Sequence, residues 1–391
     1  MDLSSLKQKG GNYLFAFLIF LFAIDPTNTI FHLKDVAFVL LMAYNVVFFK
    51  PDYRKFLYFA VGCLAITLGW LFATMRGMVT DGDFCFILYK SLAPLLLLPW
   101  IHHYDVLRLS RWPVFCTGFL IIMLFWIIVF IPQTETAIYL FMRKSDDTIM
   151  MSWRAFLGIR VFCMYHKSTV SFLLVFAIAF YQTIHKERRT FQAVMVALVL
   201  IHTFVISGTR STMLLPFLLM GLIIFKFYHD KRYYNYVLYP VLGLAAVAFF
   251  LLLYKLLSET TEPSNMVKYA HLTSYGELFE ENPLYFLWGE GPGTRFYSAG
   301  FHKMSLQTEW TYVELIRYMG VFCVLVLFLF LYPLVKIWKL RHRDDSCYVI
   351  AFAFFIYMII AGTNPLLLSS TGMFTLLTVY SFLDRIETQR E

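Results

Sequence analysis

The sequence predicts an all-α, polytopic integral membrane protein with about twelve transmembrane helices, and three observations carry that prediction. The 391 residues are 60% hydrophobic and 15% charged, with a mean hydropathy of +0.66, whereas soluble domains carry roughly 25% charged residues. The apolar residues are gathered into long runs, many near the ~20 residues that cross a hydrocarbon core. Aromatics reach 19% of the chain, and Tyr13, Trp70, Trp100, Trp112, Tyr181, Trp310 and Tyr332 sit at run ends, as an interfacial belt requires. The net charge of +8 lies mostly in short loops, where it sets topology rather than marking a nucleic-acid partner.

In chain order, the candidate spans are 12–30, 34–49, 56–74, 84–101, 113–131, 168–184, 190–206, 211–228, 236–256, 310–335, 347–362 and 366–383. The run from Tyr13 to Ile24 lacks a small-residue cleavage site, so it reads as a retained helix and not a signal peptide. The 34–49 span is short, and a polar turn at 207–212 divides the 190–228 region in two. Single spans account for the other runs by length.

The connections set orientation. KPDYRK (50–55), HHYDVLRLSR (102–111), HKERRT (185–190), HDKRYY (229–234) and KIWKLRHRDD (336–345) are short and basic. The alternate set is FHLK (31–34), MRGMVTDGD (75–83), 132–167, SGTRS (207–211), 257–309 and GTNPL (362–366), whose short members carry few basic residues. The positive-inside rule then places the first set and both termini in the cytoplasm. Residues 1–391 form one membrane domain with two long periplasmic loops, 132–167 and 257–309. In the first loop Trp153, Phe156, Leu157, Val161 and Met164 recur at helical spacing, which predicts an amphipathic interfacial helix.

Two outward turns carry the candidate chemistry. SGTRST (207–212) supplies hydroxyls for exposed helix-end groups and places Arg210 at the start of a span. WGEGPGTRF (288–296) is a side-chain-poor turn followed by Arg295, and Tyr297, His302, Lys303 and Glu309 come next. Two guanidiniums beside a helix N-terminus suit a diphosphate; the competing reading has Arg210 snorkelling to headgroup phosphates. Arg154, Arg160, His166 and Lys167 are further candidates for holding an anionic substrate. Span interiors read as nearly free of charge. Asp146-Asp147 reads as a solvated loop pair, no metal-binding spacing is present, and the six cysteines read as small buried hydrophobes without disulfide or zinc. No nucleotide-binding loop, nucleophile elbow, flavin site or haem site appears.

The many outward-facing helices, SGTRS at 207–211, GEGPGTRF at 289–296 and EWTYVELIRYMGVF at 309–322 together resemble the O-antigen polymerase and ligase superfamily over roughly residues 150–380. Within it the chain is more similar to a Wzy-type polymerase than to a WaaL-type ligase, because Glu309 stands where ligases carry His. The resemblance implies a GT-C-like, metal-independent membrane glycosyltransferase without cofactor. It would act on undecaprenyl-diphosphate-linked glycan donor and acceptor at the periplasmic face of a bacterial inner membrane, with membrane lipids and a chain-length regulator protein as partners. Arg210 and Arg295 would stabilise the departing diphosphate. Glu309 or His302 would be the base, the alternative for Glu309 being a helix cap. Arg154, Arg160, His166, Lys167, Tyr297 and Lys303 would contact substrate, and Tyr275, Tyr285, Trp288 and Phe296 would stack on sugars. A ligase, or a transporter of lipid-linked glycan, are the alternatives.

Overall fold

The computed structural model of the chain describes residues 3–143, 148–156, 159–185, 189–228, 243 and 263–388. The candidate span 236–256, the Asp146-Asp147 pair and Leu157 lie outside them. The described residues are mostly helical, at 76%, with few strands. Among the described residues six helices are long and apolar enough to cross a membrane: Tyr53–Met75, Gly82–His103, Val106–Phe130, Lys167–Ile184, Arg210–Tyr228 and Thr311–Lys339. Phe191–Ile206 and Ser346–Gly362 are apolar but shorter.

Local chemistry explains where the elements begin and end. Helix α1 (Leu3–Ile24) stops well before residue 30. Pro26 cannot continue it, and the buried Asp25 carboxylate accepts instead from the N–H groups of Thr29, Ile30 and Phe31. Helices α2 (Lys34–Phe48) and α3 (Phe56–Met75) follow. The next span is α4 (Gly82–Leu92) continued as a tighter 3-10 stretch over Ala93–His103, where Pro94 and Pro99 remove α-helical donors. A short α5 (Val106–Leu109) leads into α6 (Arg111–Phe130) and α7 (Glu135–Arg143).

The long loop after α7 corrects an expectation. Trp153, Phe156, Val161 and Met164 are not on an amphipathic helix: β1 (Ile149–Phe156) pairs antiparallel with β2 (Ile159–His166), Phe156 facing Ile159 and Ile149 facing His166. Runs rich in Ile, Val, Phe, Trp and Tyr favour a pleated surface, and only two residues separate the strands. The helix of this loop is α7, upstream.

Helices α8 (Leu173–Ile184), α9 (Phe191–Ile206) and α10 (Arg210–Tyr228) come next, then α11 (Pro263–Glu281) and the short α12 (Tyr285–Trp288). Strands β3 (Phe296–Ser298) and β4 (Lys303–Ser305) form a second hairpin. The span expected at 310–335 is two helices, α13 (Thr311–Met319) and α14 (Cys323–Lys339), broken at Gly320. Helices α15 (Ser346–Gly362) and α16 (Ser370–Thr388) close the chain. α16 is buried almost all round and packs along the 3-10 stretch, while α15 lies against α8, α10 and α14.

The connecting segments sort into two groups by contact. Among the less basic connections and the residues flanking them, Thr27 bonds Thr148 at 2.6 Å, Lys34 donates to Ser370 at 3.3 Å, the Asp81 N–H donates to Gly293 at 2.8 Å, and Thr311 donates to Asn364 at 2.5 Å. In the basic set, Gln8 donates to His103 at 2.6 Å, Lys55 pairs with Asp384, and Arg385 pairs with Asp105 at 2.8 Å. Each group meets its own members, as an up-and-down stack of helices requires.

Candidate functional site

The loops around residues 207–212 and 263–311 meet on α11. Asn265, Lys268, His271 and Tyr275 recur at three- and four-residue intervals, so they share one face. Asn265 Oδ1 accepts from Arg210 Nη1 at 3.0 Å. One turn further, Lys268 Nζ lies 3.4 Å from the Glu309 carboxylate, and its carbonyl accepts from Trp310 Nε1 at 3.0 Å. His271 Nδ1 meets Ser298 Oγ at 2.8 Å. Tyr275 donates to Glu314 at 2.6 Å. A rise of 1.5 Å per residue puts the Asn265 and Lys268 attachment points only about 4.5 Å apart along the helix. The structure therefore holds Arg210 and Glu309 on neighbouring positions of one surface.

The 207–212 turn is fixed by its hydroxyls. Ser207 Oγ bonds Thr212 Oγ1 at 2.6 Å, and Thr209 also bonds Thr212. The first hairpin seats on it: Arg154 Nη1 donates to the Gly208 carbonyl at 3.1 Å. Gly208 has φ +66°, and a Cβ there would lie 2.2 Å from the Cys163 Cβ, so both backbone conformation and contact demand glycine. Arg210 then opens α10, at the positive end of the helix dipole.

Glu309 is half-buried and sits just before α13, which is N-capped by Trp310 and starts at Thr311. Its carboxylate is within electrostatic reach of Tyr165 and His271. Burial first, and the Glu309 charge next, push the Tyr165 phenol up. Burial lowers His271, against the opposing pull of Glu309 and Glu314.

Arg295 is held elsewhere. Its Nη2 is 3.4 Å from Asp81 Oδ2 at the start of α4, and its side chain is 59% exposed. The Asp81 carboxyl is lowered by the Phe84 N–H first and Arg295 second. His302 is exposed, with φ +52°, in the segment joining β3 to β4, and Lys303 and Tyr297 are exposed beside it. Arg160 is exposed on β2. His166 is buried, bonds Ser168 at 2.7 Å, and is lowered to about 4 by burial. Lys167 donates its N–H to Thr148 at 3.0 Å. Two of the aromatics expected to stack on sugars are occupied: Tyr275 and Phe296 are buried against each other, centroids 5.1 Å apart. Trp288 and Tyr297 are exposed and Tyr285 is half-buried.

The late glycine turn depends on residues that the sequence reading did not single out. Arg317 is fully buried and lies in the span expected at 310–335, so the expectation of nearly charge-free interiors fails there. Its Nη1 is 2.7 Å from Glu290 and its Nε 2.8 Å from Glu314. Nη1 also reaches Thr294 Oγ1 at 3.1 Å, and Nη2 donates to the Leu306 carbonyl at 2.6 Å. Arg76 donates to the carbonyls of Gly289 and Glu290 from α3's end. Gly291, at φ +120°, lies so close to α3 that a Cβ would come 2.2 Å from Ala73 Cβ. The Glu-x-x-Arg spacing of Glu314 and Arg317 was a legible signal, and an ionisable residue inside a span asks for a named partner.

Among the described residues, no group of three or more His, Cys, Asp or Glu is placed to hold a metal ion. Comparison with family models, characterised proteins and solved structures finds no match to this chain.

Proposed function

We propose that this chain is a GT-C-like, metal-independent membrane glycosyltransferase that polymerises undecaprenyl-diphosphate-linked oligosaccharide repeat units of O-antigen or another surface polysaccharide. In this reading it has about twelve spans and lies in a bacterial inner membrane, with both termini cytoplasmic and the site facing the periplasm. The observation that carries the reading is the placement of Arg210, at the N-terminus of α10, one helical turn of α11 from Glu309.

The chemistry follows from those two groups. An acceptor hydroxyl oxygen attacks the donor's anomeric carbon. The bond from that carbon to the diphosphate oxygen breaks, and the diphosphate leaves with the electron pair. Arg210 and the helix N-terminus stabilise the growing negative charge without ATP, and Arg295 joins them on release from Asp81, since an exposed ion pair exchanges at little cost. The hydroxyl proton passes to Glu309. Lys268 positions that carboxylate through their 3.4 Å contact. Arg154, on the hairpin over the same turn, and Lys167, just after it, hold the acceptor's diphosphate.

One observation favours the transporter reading: a broken span carrying buried ionisable residues. Arg317, however, is fully buried and bonded to Glu290, Glu314, Thr294 and Leu306, so it is committed to holding the late turn. In a purified assay with lipid-linked repeat units and no transmembrane gradient, Glu309→Gln should bind donor but fail to transfer sugar. Normal transfer by Glu309→Gln with none by His302→Ala would move the base to His302. Absence of polymer from the unmodified protein, with uptake of lipid-linked glycan by vesicles containing it, would replace the polymerase by a transporter. Reporter fusions after Arg189 and after Thr261 should report opposite sides of the membrane; the same side for both would remove the topology.

A further inference from the structure

The opposite, basic end of the molecule holds a second arrangement, independent of the proposed reaction. There α6 begins, α8 ends, α15 begins and α16 nears its end, around a cavity of about 130 Å³. On this measure roughly 10–15 Å³ suffices for one water, so the space admits a group several atoms across. Arg108, Arg111 and Arg385 line it, with Asp105 and Asp344 as the acids.

The acids are already engaged. Asp105 takes Arg385 on one oxygen at 2.8 Å and the Arg108 N–H on the other at 3.1 Å. Asp344 Oδ1 accepts from the Ser346 N–H at 2.7 Å. The half-buried Arg111 guanidinium, in contrast, makes no hydrogen bond or ion pair among the described residues. Ser346, the first residue of α15, lines the cavity and is 6% exposed, and its buried hydroxyl has no hydrogen-bond partner among the described residues. Gln182 presents a buried amide oxygen that is equally unpartnered; a half-turn of that amide offers an N–H instead. Three guanidiniums against two carboxylates leave a net positive charge, and the α15 N-terminus adds its dipole. Buried polar groups are ordinarily satisfied, and these groups belong to residues that line one space.

We propose that this cavity binds a phosphate group, held by Arg111 and the Ser346 hydroxyl. Arg111 supplies a planar fork suited to phosphate oxygens, and Ser346 donates a single hydrogen bond. Two sources present that chemistry at helix ends: the headgroup of an anionic phospholipid and free phosphate.

The test uses the purified full chain in a phosphate-free non-ionic detergent, with its thermal unfolding midpoint followed against inorganic phosphate, dioctanoyl phosphatidate and dioctanoylglycerol. A saturable rise with phosphatidate alone supports the site and assigns a lipid headgroup. A rise with both phosphate compounds, or with inorganic phosphate alone, supports the site and assigns the phosphate group itself. Arg111→Gln should weaken the response at least about tenfold, Ser346→Ala should weaken it less, and Arg341→Gln, outside the cavity, should leave it unchanged. No saturable rise with either phosphate compound overturns the proposal. So does an equal rise with dioctanoylglycerol, or a response that neither Arg111→Gln nor Ser346→Ala alters.

Discussion

Two turns at one end of the helices end in the same three residues, Gly-Thr-Arg, and the structure treats them in opposite ways. At 292–295 the turn is locked from beneath: buried Arg317 holds Glu290, Thr294 and Leu306, and Arg76 holds the carbonyls above α3. Its own Arg295 is left outside, against Asp81. At 207–210 the bonds around the turn are of another kind. Small hydroxyls and a covering hairpin shape it, and its arginine opens a helix and is anchored by the Asn265 amide. The first turn uses a guanidinium to build a loop; the second presents one. Tripeptide identity is therefore a poor guide to role, and the partners beneath the backbone decide it.

Breaking the buried ion pairs should have the largest effect. Arg317→Met leaves Glu290 and Glu314 buried without a cation, and loss of one partner of such a pair costs about 3–5 kcal/mol. The unfolding midpoint in detergent should fall sharply, and an unchanged midpoint would show that Arg317 does not hold the late turn. Gly291→Ala tests the same turn by backbone conformation and contact, and strain of this kind costs roughly 1–3 kcal/mol before any clash is added.

The hairpin side should be the acid-sensitive one. His166 is held neutral, at about 4 in the folded chain against an ordinary 6.5, by burial. A base with a depressed folded pKa contributes its full stability above about pH 6.5 and loses it as pH falls toward 4, a change on the order of 3 kcal/mol. Hydrogen exchange across that window should loosen β1, β2 and the 207–212 turn before the late glycine turn. His166→Gln should flatten the dependence. Simultaneous loosening of both turns would remove the distinction between them.

The smallest expected effect is at Asp81. Its carboxyl is held low by the Phe84 N–H and then by Arg295, so its contribution is present above the ordinary carboxylate pKa and lost as pH falls below it. Because the pair with Arg295 is exposed, Asp81→Asn should leave the unfolding midpoint unmoved. A marked fall would make Arg295 part of the scaffold and not a free cation.

Length and hydropathy made most helices legible: 56–74, 190–206 and 347–362 each fall within a residue or two of the observed helix. Misses came where local chemistry overrides a run of apolar residues. Asp25 and Pro26 end α1 early, and Gly320 breaks the 310–335 span, yet a hydropathy window passes over both breaks. The β1–β2 hairpin was misread because a few residues at helical spacing also fit a strand, and cross-strand pairing is not local. At the site, Arg210 and Glu309 were visible as charges at run ends. Asn265 and Lys268, which bring them together, were not, because their meaning depends on where α11 lies. Arg317 was hidden by the apolar average around it.

The central claim is that Arg210, presented at a helix N-terminus beside Glu309, stabilises the departing lipid diphosphate. Chain-length distribution from purified Arg210→Ala and Arg295→Ala proteins, supplied with undecaprenyl-diphosphate-linked repeat units, measures it most directly. Loss of a preorganised transition-state donor costs on the order of 100-fold or more in rate. Arg210→Ala should therefore yield almost no polymer while still inserting and accumulating, Arg210→Lys should recover little of it, and Arg295→Ala should be impaired less severely than Arg210→Ala. Wild-type chain length from both alanine variants would contradict the account.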